Sequence, residues 1–329
     1  MKRILKFVGI LLLLLILSVG GLAAYVKLAL PNIEAPDLVV EVTPEKVERG
    51  KYLATHVMAC MDCHSKRDFS KFSGPPVADS WGSGGDKFGH EMGLPGEIFI
   101  PNITPSKLAD WTDGELYRAI TSGVAKDGRA LFNIMPYQAY GMADKRDIEA
   151  VIAYIRSIQP VDNEVAPRIL DFPVNLLVNT IPVPADHKPI PDKSNTIEYG
   201  RYLTTVAGCV DCHTPMSSPG KLDMTRAFAG GFEFQFPDGS VVRSVNITPH
   251  ATGLGAWSKD MFVNKFKGYN LETYTPANVA PGEFNTVMPW TMYAGMTEED
   301  LGAIFEYLRT LKPLENTVER FSGPGEKTM

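Results

Sequence analysis

Cysteine is scarce in this chain. The 329 residues contain four, and all four belong to two copies of one pattern, "CMDCH" at residues 60–64 and "CVDCH" at residues 209–213. Because no thiol lies outside these copies, an explanation of the cysteines must also account for the duplication and for the histidine that ends each copy. The side chains concerned are Cys60, Cys63, His64, Cys209, Cys212 and His213.

Positive charge is also in short supply. The formal net charge is −6, and the first 30 residues hold four basic and no acidic side chains, so the remainder carries 28 basic and 38 acidic residues. This balance argues against a nucleic-acid partner, whose phosphates attract Lys and Arg. An acidic surface can steer a protein toward a basic docking face. An ordinary soluble surface accounts for the same composition.

Residues 7–26, "FVGILLLLLILSVGGLAAYV", contain no charge and follow the basic hexapeptide "MKRILK". A membrane-spanning helix needs about 20 apolar residues, whereas the apolar part of a cleaved signal peptide has about 7–15. We therefore expect residues 1–30 to form an uncleaved anchor in the cytoplasmic (inner) membrane. Its basic end should stay in the cytoplasm and the remaining chain should face the periplasm. A cleaved signal peptide is the alternative.

The histidine after each cysteine pair discriminates among the uses of a Cys-x-x-Cys sequence. A zinc half-site, a redox dithiol or a disulfide would leave this histidine without a role. Two thiols three residues apart can instead form thioethers with the vinyl groups of one haem, and the next residue then reaches the iron. The sequence therefore predicts two covalently bound haem c groups, with His64 and His213 as proximal iron ligands.

Two methionines are the candidates for the sixth iron ligand. Met135 and Met288 lie 71 and 75 residues after the histidines of their motifs, at matching positions, and each is followed by proline. Thioether sulfur is a soft ligand that raises the potential of a c-type haem. We therefore expect iron coordinated by histidine and methionine in both sites.

Two other ligand sets compete with this pair. Met142 and Met296 also match, but Met296 is expected to pack against Leu301 at the start of the C-terminal helix. A distal histidine remains an alternative for one haem. The histidines outside the motifs, none at matched positions, are His56, His90, His187 and His250.

Both motifs belong to a longer repeat. Matching segments follow in the same order: 48–64 with 198–213, "FSGP" (72–75) with "FAGG" (228–231), "NITP" at 102–105 and at 246–249, and "MPYQAYGM" (135–142) with "MPWTMYAGM" (288–296). Matches in a constant order predict two homologous domains. The predicted organisation is an anchor (1–30), a linker (31–42), domain 1 (43–159), a proline-rich connector (160–193), domain 2 (194–312) and a tail (313–329).

The connector and the tail are predicted from composition. Residues 160–193 contain seven prolines, which disfavour regular helix and sheet, yet the stretch is too apolar for a solvated linker. We expect it to lie against one or both domains. The tail beyond Pro313 is expected to be irregular and exposed.

Helix start signals predict a mainly α chain with long loops. Thr43 is a candidate N-cap before Pro44, opening a helix that runs to the first motif. Thr112 and Glu115 have the spacing of a capping box, and Thr297 is a third candidate cap.

Two further segments are expected to form turns. The stretches 95–105 and 231–249 could form short hairpins, the second with Asp-Gly as its turn. Asn102 and Asn246, the repeated asparagines of "NITP", are expected to shape turns, and a contact with a haem propionate is the alternative.

The combination "GKYL…CMDCH…FSGP…NITP…W…MPY" resembles the cytochrome c subunit of membrane-bound alcohol, aldehyde and gluconate dehydrogenases. The resemblance covers most of residues 43–312 and implies tandem class I cytochrome c domains. Subunits of that family usually carry three haem motifs, whereas this chain has two. The implied axial pairs are His64 with Met135 and His213 with Met288.

The same resemblance implies how the helices cross. The helices containing Gly50 and Gly200 should cross the C-terminal helices of their domains near Tyr154 and Tyr307. Glycine at these points permits close approach of two backbones.

The function predicted from these features is that of a membrane-anchored two-haem cytochrome c. It would relay single electrons from a dehydrogenase to the respiratory chain, with a dehydrogenase subunit, an oxidase or another cytochrome as redox partner. The alternative is a two-haem enzyme, such as a cytochrome c peroxidase or a thiosulfate dehydrogenase. Such a peroxidase needs an accessible iron, which the duplicated Met-Pro segments disfavour.

Overall fold

The computed structural model describes residues 1–326 and is mainly helical, in agreement with the predicted class. The helices are α1 (Lys2–Ala29), α2 (Pro44–Tyr52), α3 (Cys60–Cys63), α4 (Pro105–Leu108), α5 (Asp113–Ser122), α6 (Tyr137–Tyr140), α7 (Lys145–Ser157), α8 (Val174–Leu177), α9 (Thr196–Val206), α10 (Cys209–Cys212), α11 (Lys259–Lys267), α12 (Trp290–Tyr293) and α13 (Glu298–Arg309).

Short strands form three small antiparallel sheets, ordered β1-β2-β3, β4-β5 and β6-β7-β8. The strands are β1 (Lys87–Phe88), β2 (Gly96–Phe99), β3 (Ile169–Leu170), β4 (Met216–Ser218), β5 (Lys221–Leu222), β6 (Glu233–Gln235), β7 (Val241–Arg243) and β8 (Phe321–Ser322).

The two hairpin predictions had different outcomes. Strands β6 and β7 pair within the predicted stretch 231–249, with Gly239 of the Asp-Gly turn at φ 85°. The stretch 95–105 is not a hairpin by itself, because its one strand, β2, pairs with β1 and β3.

The prediction that the tail is irregular and exposed also needs correction, since β8 pairs with β7 and Ser322 is buried. The final three residues of the predicted tail lie outside the described part of the chain.

The predicted helix caps are confirmed. The Thr43 side chain accepts a hydrogen bond from the backbone of Lys46, and Thr112 forms a reciprocal capping box with Glu115. The first helical run ends two residues before the motif rather than at it. Helix α2 ends at Tyr52 and a π-helical turn follows, and Ala59 then takes a left-handed conformation (φ 50°) that no right-handed helix continues through.

Two helix crossings are the main packing contacts of the fold. Helix α2 crosses α7, and α9 crosses α13. A Cβ atom at Gly50 would lie 1.8 Å from the backbone oxygen of Ala150, and one at Gly200 would lie 1.9 Å from that of Ala303. The close backbone approach implied for these glycines is confirmed.

Gly50→Ala should therefore lower the free energy of unfolding by more than the about 1–3 kcal/mol typical of an overpacked core. The obstructing atom is backbone, so it cannot rotate away as a side chain would. Denaturant unfolding of the purified protein measures the loss. Gly302→Ala in α13 is the control, because its nearest neighbour is the flexible Lys259 side chain at 3.3 Å. Equal losses in both variants would contradict the close-approach argument.

The two halves of the chain contact each other through a reciprocal pair of hydrogen bonds. The Tyr52 hydroxyl donates to Asp300 at 2.6 Å, and the Tyr202 hydroxyl donates to Asp147 at 2.6 Å. Each tyrosine oxygen also accepts from the backbone N–H of the residue that caps the opposite helix. Both aspartates are buried, where hydrogen bonds to a carboxylate are strong. These contacts fix the position of one half against the other.

The connector packs along the first half, as predicted. Strand β3 extends the sheet of β1 and β2. Further along, the backbone N–H of Lys188 donates to Met142, and that of Ile190 donates to the Asp144 carboxylate. The connector is therefore part of the folded body rather than a free linker.

Candidate haem-binding sites

Each cysteine motif forms one helical turn that starts from a left-handed residue. Ala59 (φ 50°) precedes α3 and Gly208 (φ 65°) precedes α10. Residues three apart on a helical turn lie side by side on one face, so the two thiols of each motif are neighbours. All four thiols are free, and Cys63 and Cys212 are exposed. The disulfide alternative therefore finds no bond in the structure.

The histidine of each motif is held by a backbone carbonyl. Nδ1 of His64 lies 2.9 Å from the oxygen of Pro101, and Nδ1 of His213 lies 2.8 Å from that of Val245. A carbonyl only accepts, so Nδ1 carries the proton and Nε2 presents a lone pair. Burial lowers the pKa of both histidines and outweighs the hydrogen bond to the carbonyl, which by itself would raise the pKa. Burial thus favours the neutral form of both rings, and a neutral imidazole with an unprotonated Nε2 fits an iron ligand.

A glycine in each half lets the chain fold closely over the motif. The N–H groups of Gly84 and Gly230 donate to the backbone oxygens of His64 and His213, both at 2.7 Å. Both glycines have positive φ, 64° and 74°. A Cβ on Gly84 would lie 2.3 Å from a backbone oxygen, and one on Gly230 2.4 Å from a backbone carbon. Only glycine fits either position.

These contacts correct one of the sequence matches. The segment "FAGG" at 228–231 has the same backbone hydrogen bonds as residues 82–85. The backbone oxygens of Phe228 and Gly82 each accept from the N–H of the isoleucine in the "NITP" segment of the same half. The segment "FAGG" does not correspond to "FSGP" at 72–75. The sequence match arose from similar letters alone, since "FSGP" begins 8 residues after His64 and "FAGG" 15 residues after His213.

The asparagines of the "NITP" segments shape turns, as predicted. The Asn102 side-chain oxygen accepts from the backbone and hydroxyl of Thr104, and Asn246 does the same with Thr248. Their amide groups donate to backbone carbonyls, that of Val161 in the first half and that of Leu314 in the second. Both side chains are buried and satisfied.

Each predicted distal methionine lies directly before a short helix that is tied to its own motif. Met135 precedes α6 and Met288 precedes α12, and both side chains are half-buried. The Tyr140 hydroxyl at the end of α6 donates to Met58 at 2.9 Å. The Tyr293 hydroxyl at the end of α12 donates equivalently to Ala207 at 3.0 Å. Each methionine segment is thus connected to the residues that precede the cysteines of the same half.

The competing ligand sets differ from this arrangement. Met296 is 1% exposed in the apolar core, whereas Met142 is 39% exposed, so the second matched pair does not occupy matched environments.

The four histidines outside the motifs contact protein atoms. His56 contacts the oxygen of Met292, His90 the Asp171 carboxylate, His187 the Tyr117 hydroxyl and the Ala143 oxygen, and His250 the Thr252 hydroxyl. Within residues 1–326, no cluster of three or more His, Cys, Asp or Glu side chains could hold the zinc ion of the alternative.

Sequence reasoning missed a contact between the first half and the methionine segment of the second. The buried Ser73 hydroxyl donates to the backbone oxygen of Met288 at 2.6 Å and accepts from the N–H of Trp290 at 3.2 Å. The Ser73 N–H donates to the Asn285 side chain, whose amide donates back to the backbone of the same loop at Phe69. The false match of "FSGP" concealed this loop, which has no sequence counterpart in the second half.

A buried ion pair links that loop to the first motif. Arg67 contacts the Asp62 carboxylate at 2.9 Å and donates to the backbone oxygens of Ser73 and Gly74 at 2.7 and 2.8 Å. Burial raises the pKa of Asp62 to about 6, and Arg67 opposes this effect. The Arg67 guanidinium therefore links the first motif to the Ser73 loop, which contacts the Met288 segment of the other half.

Comparison with known proteins gives several relatives, although no family model matches the chain. The chain is 29% identical over 286 residues to the cytochrome c subunit of a quinone alcohol dehydrogenase from Gluconacetobacter polyoxogenes, covering 82% of this chain and 56% of the relative. It is 28% identical over 284 residues to the gluconate 2-dehydrogenase cytochrome c subunit from Pantoea cypripedii, covering 80% and 59%. The chain thus spans about half the length of these relatives.

A third relative matches this chain over nearly its whole length. The diheme cytochrome c-type protein of Cereibacter sphaeroides is 27% identical over 317 residues, covering 92% of this chain and 97% of the relative. These similarities imply covalently bound haem c, which the donor set of both motifs fits. The resemblance predicted from the sequence is confirmed: over most of its length, the chain is similar to cytochrome c subunits of dehydrogenases and to a diheme cytochrome c.

Proposed function

We propose that this chain is a membrane-anchored two-haem cytochrome c that relays single electrons. The observation that carries the proposal is the duplicated site. Each half has two neighbouring thiols, a histidine whose Nε2 is free to coordinate, and a methionine segment tied by a tyrosine to the same motif. Residues 43–159 and 194–312 would each form one class I cytochrome c domain.

The residues that would hold the two groups follow from this arrangement. The cysteine pairs supply thioether bonds, and the histidine and methionine of each half supply the axial ligands. When bound, each haem provides a one-electron Fe(III)/Fe(II) couple whose potential the methionine sulfur raises. The backbone contacts of His64 and His213 orient each imidazole and leave its Nε2 unprotonated, and burial favours the neutral ring. The residues are Cys60, Cys63, His64 and Met135, and Cys209, Cys212, His213 and Met288.

Helix α1 serves in this proposal as the anchor. Within the described residues it is the one helix long and apolar enough to cross a bilayer. Lys2, Arg3 and Lys6 precede its uncharged run, so the amino terminus would lie in the cytoplasm and both haem domains in the periplasm. The anchor would keep the electron relay beside the respiratory chain.

A dehydrogenase is the electron donor that we infer. Two of the relatives described above are named as subunits of dehydrogenases. Such an enzyme removes two electrons from its substrate, and two one-electron stations on one chain could take them singly. An oxidase or another cytochrome would accept them.

Purification of the full chain from native membranes tests the proposal. We expect a dehydrogenase to co-purify, the reduced protein to lose electrons quickly to a redox partner, and that rate to fall with added salt because the acidic surface steers docking. The purified chain alone should turn over neither peroxide nor thiosulfate. Sustained turnover of either substrate would instead favour the two-haem enzyme.

Ser73→Ala should shift the potential of the haem bound by the second half and leave the other unchanged. The substitution removes the hydroxyl that fixes the backbone of Met288, whose carbonyl keeps its hydrogen bond from the Trp290 N–H, so the free energy of unfolding should fall by only about 0.5–1.5 kcal/mol. A spectroelectrochemical titration resolves the two potentials. Ser83→Ala is the control, because that buried hydroxyl bonds only within its own loop, to Ser80. If both variants shift the same potential equally, Ser73 does not position Met288.

A further inference from the structure

The connector carries a patch of exposed apolar side chains. Ile169 is 63% exposed, Phe172 81%, Leu177 52% and Val183 46%. Residues 172–183, "FPVNLLVNTIPV", contain no charged side chain. Apolar side chains this exposed and this close together require a partner surface.

The patch lies beside the outer end of the proposed anchor. Helix α8 and the turn Val178–Thr180 both pack against α1. The one buried residue of α1 is Val26, the last residue of its uncharged run. The connector therefore meets α1 where that helix would leave the hydrocarbon.

This geometry sets the depth of the patch. A segment in direct contact with a membrane-spanning helix lies at about the depth of the residues that it contacts, and Val26 is the buried residue of α1. The headgroup layer extends roughly 5–8 Å beyond the hydrocarbon on each side. A segment packed on the end of the span therefore lies at headgroup depth. Asp171 and Asp186, the charged residues at the two ends of the patch, would remain on its polar side.

We propose that the patch, residues 169–183, is a second membrane contact that inserts its apolar side chains into the outer leaflet of the bilayer. The occupant is a lipid surface because the patch is apolar, has no charge between residues 172 and 183 and is continuous with the transmembrane helix. This proposal rests on the proposed anchor. Two contacts fix the orientation of the haem domains toward the membrane, which a single helix followed by a linker cannot do.

Site-directed spin labels test the contact in the full chain. Phe172→Cys and Leu177→Cys are labelled in the haem-loaded protein, whose native cysteines are closed by thioethers, so unsubstituted protein should take up no label. The samples are reconstituted in nanodiscs of phosphatidylethanolamine and phosphatidylglycerol. Electron paramagnetic resonance then compares the accessibility of each label to oxygen, which partitions into lipid, and to a water-soluble nickel chelate. Both positions are exposed, so the substitutions leave the core intact.

Two control labels separate the possible results. A label at Leu15, within α1, reports the anchor, and a label at Met224, exposed in the second half, reports the aqueous surface. We expect the labels at 172 and 177 to be several-fold less accessible to nickel than that at 224. With Leu15 in lipid, nickel accessibility equal to that at 224 would show a bare patch, and low accessibility to both nickel and oxygen would show a patch covered by protein. Either result would overturn the contact alone. A Leu15 label accessible to nickel would overturn the anchor itself.

Discussion

Met288→Ala should remove about half of the weak red absorption that sulfur-to-iron charge transfer gives in the oxidised protein, because one of two methionine ligands is lost. One potential should fall, and one iron should bind carbon monoxide. The half-buried position of Met288 before α12, and its support by Ser73, lead to this expectation. Absorption spectra and a redox titration of the purified variant measure the three effects.

Met296→Ala is the control for this experiment. Its side chain is 1% exposed in the core, so truncation should cost about 2–5 kcal/mol of unfolding free energy without changing the red band. Met135→Ala should remove the other half of the band. If Met296→Ala abolishes the absorption and Met288→Ala does not, the ligand assignment is wrong.

Replacing Cys209 and Cys212 together with alanine should reduce the covalently bound haem from two groups per chain to about one. In the proposed arrangement each motif would supply the two thiols of one attachment, and the sequence has no other cysteine that could substitute. The haem that survives acid–acetone extraction and a denaturing gel, measured per chain, gives the count.

The equivalent double replacement of Cys60 and Cys63 is the matched variant and should also leave one haem. Replacing all four cysteines should leave none bound covalently. Fully extractable haem in the native protein, or stoichiometric zinc in its place, would overturn the assignment of both motifs.

The features predicted from sequence are those with short-range causes. The cap at Thr43 depends on residues within one helical turn, and so does the capping box at Thr112. The Asn102 turn involves residues two apart. The crossings at Gly50 and Gly200 are the exception: they join residues 100 and 103 positions apart, Ala150 and Ala303, and the family resemblance rather than a local pattern implied them.

The missed features depend on contacts between distant residues. Ser73 and Met288 are 215 positions apart, and Tyr52 and Asp300 are 248 apart. No local pattern encodes such pairs, and the internal repeat points to corresponding positions rather than to contacts between the halves. The strand at Phe321 was missed for the same reason, since it forms only by pairing with β7.

The reciprocal bonds of Tyr52 with Asp300 and of Tyr202 with Asp147 have the form that two identical subunits adopt across a two-fold axis. Joining such partners in one chain converts a bimolecular encounter into an intramolecular one, at an effective concentration in the millimolar range for a short tether. An interface too weak to hold two separate copies together would therefore stay closed here. The two sides of this interface can therefore differ in sequence more than those of a free dimer. This permits a contact present on one side only, such as the bond from the Ser73 loop to the Met288 segment.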